Sequence, residues 1–119
     1  MTTTTEQAEQ FFATYAAALL ARDEAAIAAL YAVPALILFP RQPIAVSDAR
    51  QTEQFFAASW SQYQGVDEAD AKITIMGEAP GSIWADVRWS YDGAERERFC
   101  YQLVDGPTGW QIAVLTPMG

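Results

Sequence analysis

The chain has 119 residues, of which 51% are hydrophobic and 18% charged, and its formal net charge is −8. This length and apolar content predict one folded domain over residues 1–119 and exclude a disordered chain. Fifteen acidic side chains against seven basic ones would repel nucleic acid and an anionic membrane surface, so neither is an expected partner.

Histidine is absent from the sequence, and Cys100 is the only cysteine. The sequence therefore excludes Ser-His-Asp and Cys-His nucleophilic sites, as well as histidine and multi-thiolate metal sites. We expect no metal and no cofactor. Any acid–base chemistry must use carboxylates, tyrosines, Cys100 or water.

Membrane insertion and secretion are not indicated by the sequence. No apolar run approaches the roughly 18 residues that a membrane helix needs. The first six residues lack the basic stretch followed by an apolar stretch that marks a secretory signal. We therefore expect a cytoplasmic protein.

Two helices are predicted at the start of the chain. Residues 6–21 repeat apolar side chains at helical spacing, and Thr3 and Glu6 stand at the spacing of a capping box. Asp23 is predicted to begin a second helix. Pro34 is predicted to end it, because the residue before a proline avoids the helical conformation.

A short hairpin and a third helix are predicted next. Residues 36–39 and 44–46 are apolar segments separated by a proline-containing turn. Asp48 is predicted to begin a helix with Gln51 at capping-box spacing, and Gly65 is predicted to end it.

The second half of the chain has the alternation typical of strands. The dipeptide at 92–93, Asp-Gly, is a strong signal for a tight hairpin turn. The predicted strands cover residues 72–76, 83–91, 95–104 and 110–116. The fold class is therefore α+β, with the helices packed on an antiparallel sheet.

The predicted 92–93 turn fixes which side chains share a face of the long hairpin. It places Arg88 opposite Glu97 and Trp84 opposite Tyr101. One face is then expected to carry Trp84, Asp86, Arg88, Glu97, Phe99, Tyr101 and Leu103. The other is expected to carry Ile83, Ala85, Val87, Trp89, Arg96, Arg98, Cys100 and Gln102.

Neither face of this hairpin is uniformly polar, so both are expected to be covered, one by the helices and one by a second subunit. The predicted homodimer interface on the outer sheet face comprises Trp84, Arg88, Glu97, Phe99, Tyr101 and Leu103. We interpret the Arg88–Glu97 pair as an interface salt bridge, with a catalytic constellation that includes Asp86 as the alternative.

Two segments carry a family resemblance. The segment 15–23 (YAAALLARD) continues to 27–31 (IAALY), and Asp105-Gly106 precedes 109–112 (GWQI). With the order helix, helix, short hairpin, long helix and long strands, they resemble the first helices and the last hairpin of the nuclear-transport-factor-2-like superfamily. The resemblance covers nearly the whole chain. It implies a cystatin-like cone in which three N-terminal helices close one side of a curved antiparallel sheet.

The superfamily contains SnoaL-like and ketosteroid-isomerase-like enzymes as well as binding domains, and the resemblance implies a mainly apolar cavity in the cone. The residues that it implies for ligand binding are Tyr15, Leu19, Phe39, Phe56, Trp60, Tyr63, Val87, Cys100, Gln102 and Val114. A small apolar or aromatic molecule is the ligand that such a lining favours.

The catalytic groups of the ketosteroid-isomerase-like enzymes transfer only in part. Tyr15 falls where their hydroxyl donor lies, but Phe39 falls where they carry the aspartate base. Their second donor falls near Cys100 or Gln102, and neither is a carboxylic acid. We therefore expect no carboxylate inside the cone.

Each candidate side chain also has a structural interpretation. Tyr15 is either a hydrogen-bond donor to a ligand or a core tyrosine whose hydroxyl is satisfied, and Gln102 either orients a ligand or bonds a neighbouring strand. Cys100 is expected to be a small buried hydrophobe rather than a nucleophile. Trp60 and Tyr63 are expected to belong to the core rather than to a ligand platform.

Three functions remain open from the sequence. The first is binding of a small apolar or aromatic molecule. The second is a lyase or isomerase that uses Tyr15. A carboxylate inside the cavity would favour this enzyme function. The third is a protein-interaction domain whose cone is filled by side chains, which the volume of the cavity distinguishes from the other two.

Overall fold

The computed structural model describes residues 3–119. They form helices α1 (Thr4–Leu20), α2 (Glu24–Ala28) and α3 (Ala49–Ala57) and a 3₁₀ helix (Trp60–Tyr63). The strands are β1 (Tyr31–Phe39), β2 (Gln42–Val46), β3 (Ala69–Ala79), β4 (Ser82–Tyr91), β5 (Ala94–Gly106) and β6 (Gly109–Pro117). The predicted α+β class, with N-terminal helices on a curved sheet, is confirmed.

The six strands form one sheet in the order β2-β1-β6-β5-β4-β3. Four neighbouring pairs are antiparallel, but β1 runs parallel to β6. The sheet is therefore mixed, and it differs from the expected antiparallel sheet at this one pair. A parallel neighbour is possible here because β1 and β6 are far apart in the chain and are not joined by a hairpin.

The three α-helices begin where their capping residues predict. Side-chain oxygens of Thr3, Asp23 and Asp48 each accept a hydrogen bond from a backbone N–H in the first turn of their helix. Asp48 and Gln51 form the complete capping box. Glu6 departs from that pattern, because its carboxylate accepts from the Thr3 hydroxyl instead of the backbone.

The predicted ends of the second and third helices are wrong. Pro34 lies inside β1, since α2 stops before Leu30, whose carbonyl accepts a hydrogen bond from the Ile112 backbone N–H of β6. Pairing with β6 thus draws the chain out of the helix. Helix α3 ends at Ala57, and the 3₁₀ helix Trp60–Tyr63 occupies the middle of the stretch to Gly65.

The long hairpin has the predicted turn but not the predicted register. Asp92 and Gly93 have φ angles of 52° and 85°, and the two-residue primed turn needs positive values at both positions. Trp89 then pairs with Glu97, and Arg96 is an extra residue in β5. Such a bulge shifts the pairing by one residue.

The bulge makes both predicted cross-strand pairs wrong, because Arg88 faces Arg98 and Trp84 faces Gln102. Side chains alternate between the two faces of a strand, so one extra residue turns over every later side chain of β5.

The faces of β4 are as predicted, whereas those of β5 are inverted. The buried side chains of β4 include Ile83, Ala85, Val87 and Trp89. The buried side chains of β5 are Phe99, Tyr101 and Leu103. Cys100 and Gln102 therefore lie on the outer face, and the prediction that they line the cone is wrong. Burying two aromatic rings and a leucine is more favourable than burying an arginine, a cysteine and a glutamine.

A second irregularity corrects the position of Val114. Strand β6 has an extra residue, Ala113, opposite the junction between Gln102 and the next residue of β5. Ile112 and Leu115 are buried, while Val114 pairs with Gln102 on the outer face. Val114 thus does not line the cone.

The predicted dimer interface changes with these corrections. Four of its six residues belong to the inner side of the protomer: Glu97, Phe99, Tyr101 and Leu103. Trp84 and Arg88 keep their predicted place on the outer face.

An ion pair on the outer face joins Asp86 and Arg98, not Arg88 and Glu97. Arg98 Nε and Nη2 donate to the two Asp86 carboxylate oxygens at 3.0 and 2.6 Å. The hydrogen bonds from Arg98 hold the pKa of Asp86 below its usual value. This bidentate contact stabilises the pairing of β4 with β5 on the side away from the cavity, so it is not the predicted catalytic constellation.

The core lies between the helices and the inner face of the sheet. The Phe12 ring of α1 lies 4.9 Å from the Tyr101 ring and 6.1 Å from the Trp89 ring, measured between centroids. Helix α1 is thus fixed on the strands that form the cavity wall. None of the helices in residues 3–119 combines the length and apolar character needed to cross a membrane.

Candidate functional site

A cavity of about 680 Å³ opens between α1, α3, the 3₁₀ helix and the inner face of the sheet. Nine of its 20 lining residues are aromatic. Exposed glutamines lie around the mouth, namely Gln42, Gln51, Gln54 and Gln62. The cavity therefore has aromatic walls and a polar rim.

Half of the predicted ligand-binding residues line this cavity. They are Tyr15, Leu19, Phe39, Phe56 and Tyr63. Four come from the helices and the 3₁₀ helix, and Phe39 comes from the end of β1 that follows its irregularity between Tyr31 and Leu36. Whether they bind a ligand stays a prediction.

The other half lie elsewhere. Trp60 is outside the lining, and its Nε1 donates to the Glu24 carboxylate at 3.3 Å. Val87 is fully buried in the core without reaching the cavity. Cys100, Gln102 and Val114 are on the outer face, where the Cys100 thiol lies 3.9 Å from the Met76 sulfur.

A carboxylate lines the cavity, contrary to expectation. Glu97 Oε1 accepts hydrogen bonds from the Tyr91 hydroxyl at 2.6 Å and from the Tyr63 hydroxyl at 3.2 Å. Among residues 3–119, its Oε2 has no hydrogen-bond partner, and no arginine or lysine forms an ion pair with it. In this cavity-lining residue, two phenols therefore hold one carboxylate oxygen, and the other has no partner among residues 3–119.

Two further tyrosines, Tyr15 and Tyr101, have hydroxyl groups that can donate a hydrogen bond to a ligand. The hydroxyl oxygens of Tyr15 and Tyr31 lie 3.0 Å apart, and Trp89 Nε1 donates to the Tyr101 hydroxyl at 2.9 Å. Tyr15 and Tyr101 line the cavity, whereas Tyr31 does not. If Tyr31 donates to Tyr15, both cavity hydroxyls act as acceptors from the protein and keep their own protons for a ligand.

All five tyrosines of the chain take part in these side-chain hydrogen bonds. Burial raises the pKa of each hydroxyl above its ordinary value. The Glu97 carboxylate adds to the rise in pKa at Tyr63 and Tyr91. The phenols consequently stay protonated and act as hydrogen-bond donors across the physiological range of pH.

Sequence reasoning missed Glu97 because it placed that residue on the outer face. A usable signal was present: Phe99, Tyr101 and Leu103 are more apolar than Arg98, Cys100 and Gln102. A register that buries the apolar set beside Ile83 and Val87 requires one extra residue after the turn, and the same shift brings Glu97 inside.

Among residues 3–119, the cavity lining offers a metal cation one carboxylate, that of Glu97, and no second charged ligand. In the part of the chain that the structure describes, no group of three or more acidic or cysteine side chains is arranged to hold a metal ion. The site is thus suited to hydrogen bonding and to charge pairing with an organic ligand.

Solved structures share this fold at low sequence identity. The yeast UBP3-associated protein BRE5 is 16% identical, with a TM-score of 0.68, over 99% of this chain and 97% of that one. A Nostoc punctiforme domain of unknown function with a cystatin-like fold is 15% identical, with a TM-score of 0.70, over 98% and 78%. A de novo designed protein with a curved β-sheet is 10% identical, with a TM-score of 0.66, over 94% and 99%.

These structural likenesses show the fold alone. Comparison with curated protein sequences gave no match. The family model with the description "NTF2-like protein (DUF6841)" matches residues 5–119, which is nearly the whole chain. The resemblance noted in the sequence is therefore confirmed, and the chain belongs to this NTF2-like family.

Proposed function

We propose that the chain binds a small apolar or aromatic molecule in the cavity between its helices and its sheet. The observation that carries this proposal is an aromatic cavity of about 680 Å³ with a few convergent polar groups. Small-molecule sites typically occupy about 300–1,000 Å³ and combine apolar walls with a few polar groups that orient the ligand.

The convergent polar groups supply the orientation. Glu97, Tyr15 and Tyr101 line a space whose walls also include Phe39 and Phe99. A cone filled by side chains, as a pure protein-interaction domain would have, leaves no such volume. The cavity volume therefore favours ligand binding over that alternative.

A neutral fluorescent probe, N-phenyl-1-naphthylamine, tests binding directly. Its emission is expected to rise on addition of the protein. Ile44 is half-buried and lines the cavity mouth, so Ile44→Trp is expected to weaken binding about tenfold, which corresponds to ~1.4 kcal/mol.

Leu36→Trp is the matched control. Leu36 lies on the neighbouring strand, is 44% exposed and is outside the cavity lining. This variant adds the same side chain without obstructing the cavity, so its affinity for the probe is expected to match that of the unmodified protein. Equal loss in both variants, or no binding by the unmodified protein, would contradict the proposal.

An isomerase or lyase is the second candidate function, and Glu97 is the observation that favours it. A carboxylate can remove a proton next to a ligand carbonyl, and a nearby hydroxyl can stabilise the resulting enolate oxygen. In this site Oε2 of Glu97 would take the proton, the electron pair would move to the carbonyl oxygen, and the Tyr15 hydroxyl would donate to it.

Deuterium exchange of 2-tetralone in D₂O, followed by NMR, tests this second candidate. The protein is expected to accelerate loss of the α-proton signal. Glu97→Gln is expected to abolish this acceleration, and Tyr15→Phe is expected to reduce the exchange rate about 100-fold. Glu95→Gln changes an exposed carboxylate outside the cavity lining and is expected to change nothing. Exchange at the rate of buffer alone would leave binding as the function.

We further propose that the chain works in the cytoplasm as a homodimer that uses its outer sheet face. Trp84 is half-buried on that face, and Met76 on the adjacent strand is 55% exposed. An apolar surface of this kind supports association with a second copy. Arg88 and the Asp86–Arg98 pair would then lie at or near the interface.

A further inference from the structure

Charge is the feature of the cavity that restricts its ligand most. Glu97 is the only charged side chain among its lining residues in the described part of the chain. No arginine or lysine lines the cavity, and the ion pairs of residues 3–119 involve Asp48 and Asp86 instead. The site therefore holds an uncompensated negative charge.

This charge is held in place rather than free to turn away. Hydrogen bonds from Tyr63 and Tyr91 fix Oε1, and Glu97 is half-buried. Such charge-assisted bonds define the direction of the remaining oxygen. A ligand group that meets Oε2 must be a hydrogen-bond donor, and a positively charged donor gains most.

Aromatic rings lie next to the same carboxylate. The Tyr63 and Tyr91 rings are perpendicular, with centroids 5.4 Å apart, and the Trp89 ring is stacked on Tyr91 at 6.3 Å. Aromatic faces attract cations through their quadrupoles, and tyrosine and tryptophan are effective partners. A carboxylate beside two such rings is the arrangement that recognises an organic ammonium group.

The charge of the whole chain acts in the same direction. A net charge of −8 raises the local concentration of cations and lowers that of anions near the cavity. An anionic ligand would meet both this field and the Glu97 carboxylate, without any basic side chain to pair with it.

We propose that the ligand is an amine with an aromatic or apolar body, and that its protonated nitrogen binds Oε2 of Glu97 against the rings of Tyr63 and Tyr91. This inference rests on the proposed binding function and specifies the ligand class. The apolar body extends toward Phe39, Phe55 and Phe99, which line the rest of the cavity.

Three compounds of closely similar shape test the proposal: 2-phenylethylamine, 2-phenylethanol and 3-phenylpropionate. Each is titrated against the protein with bound N-phenyl-1-naphthylamine, and displacement of the probe is measured. The amine is expected to displace the probe at a concentration at least tenfold lower than the alcohol needs, and the carboxylate is expected to be the weakest.

Glu97→Gln separates charge from shape. The amide oxygen still accepts from Tyr63 and Tyr91, so the fold is expected to persist, while the tenfold advantage of the amine over the alcohol disappears. Glu95→Gln makes the same change of charge on an exposed side chain and is expected to keep the advantage. Loss of the advantage in both variants would indicate a long-range charge effect and overturn the proposed contact.

The outcomes distinguish this inference from the proposed function. If the probe does not bind at all, the binding function itself fails. If the probe binds but the alcohol or the carboxylate displaces it as well as the amine does, only the ligand class is overturned. The ligand series on the unmodified protein decides the question even if Glu97→Gln does not fold.

Discussion

Leu103→Glu is expected to prevent folding, with a loss in the free energy of unfolding on the order of 5 kcal/mol or more. Leu103 has 0% of its surface exposed and belongs to the core. The variant loses the packing of a leucine and places a carboxylate in the apolar core, between Ile83 and Ile112 on the neighbouring strands. A domain of this size is stable by only about 5–15 kcal/mol. Urea titration followed by far-ultraviolet circular dichroism measures the change.

Gln102→Glu places the same carboxylate one residue earlier, on the outer face. Gln102 is half-buried there and pairs with Trp84 and Val114. The free energy of unfolding of the Gln102→Glu variant is expected to change by only about 0.5 kcal/mol, as for most surface substitutions. The opposite ranking of the two variants would contradict the bulge in β5, because a hairpin without that bulge exposes Leu103 and buries Gln102.

Gln102→Glu also tests the proposed homodimer. Gln102→Glu adds a charge to each copy at the outer face, so it is expected to shift the equilibrium toward monomers without unfolding them. Sedimentation at high micromolar concentration measures this shift. If the unmodified protein sediments as a monomer under those conditions, the proposed homodimer is wrong.

Local signals predicted the order of helices and strands correctly. The capping residues Thr3, Asp23 and Asp48 and the turn at 92–93 act through neighbours within a few positions in the chain, so their effects can be read without knowledge of the fold. Pro34 gave a wrong end for the second helix because a contact between distant segments, and not a local signal, determines where that helix ends. Pairing of β1 with β6, a contact between distant segments, ends α2 earlier than any local signal indicates.

The site was predicted less completely because it depends on register. Tyr15, Leu19 and Phe56, which the resemblance placed in the cavity, do line it, and they lie on helix faces whose periodicity one irregularity does not overturn. The position of Glu97 depends on a single extra residue, Arg96, in a strand where the side-chain period is two. One bulge therefore exchanged the two faces of β5 and hid Glu97, the only charged side chain that lines the cavity among residues 3–119.

Arg22 connects the end of α1 to the wall of the cavity. Its guanidinium donates to the carbonyl oxygens of Leu19 and Leu20 and, across the fold, to those of Tyr63 and Val66. Arg22 also has a φ angle of 54°, in the left-handed region that non-glycine residues rarely adopt. Four hydrogen bonds from one charged group offset the cost of that backbone conformation.

Arg22→Ala is expected to lower the free energy of unfolding by about 2–4 kcal/mol, because bonds from a charged donor are strong and several are lost together. Arg22→Lys is expected to recover only part of the loss, since an ammonium lacks the planar fork that reaches both sets of carbonyls. Arg50→Ala is the control: the Arg50 side chain is 80% exposed, and its ion pair with Asp48 is expected to contribute little to stability because solvent screens exposed charges. Equal losses for Arg22→Ala and Arg50→Ala would contradict the role assigned to Arg22.

The Arg22 contacts also predict an effect on binding. Arg22 holds the backbone carbonyl of Tyr63, and the hydroxyl of the same residue holds Glu97. At a temperature where Arg22→Ala is still folded, the 3₁₀ helix is expected to move and release one of the two donors that fix the Glu97 carboxylate. The advantage of 2-phenylethylamine over 2-phenylethanol should then fall severalfold while binding of N-phenyl-1-naphthylamine changes less. An unchanged advantage in the folded variant would mean that Arg22 stabilises the end of α1 without positioning the site.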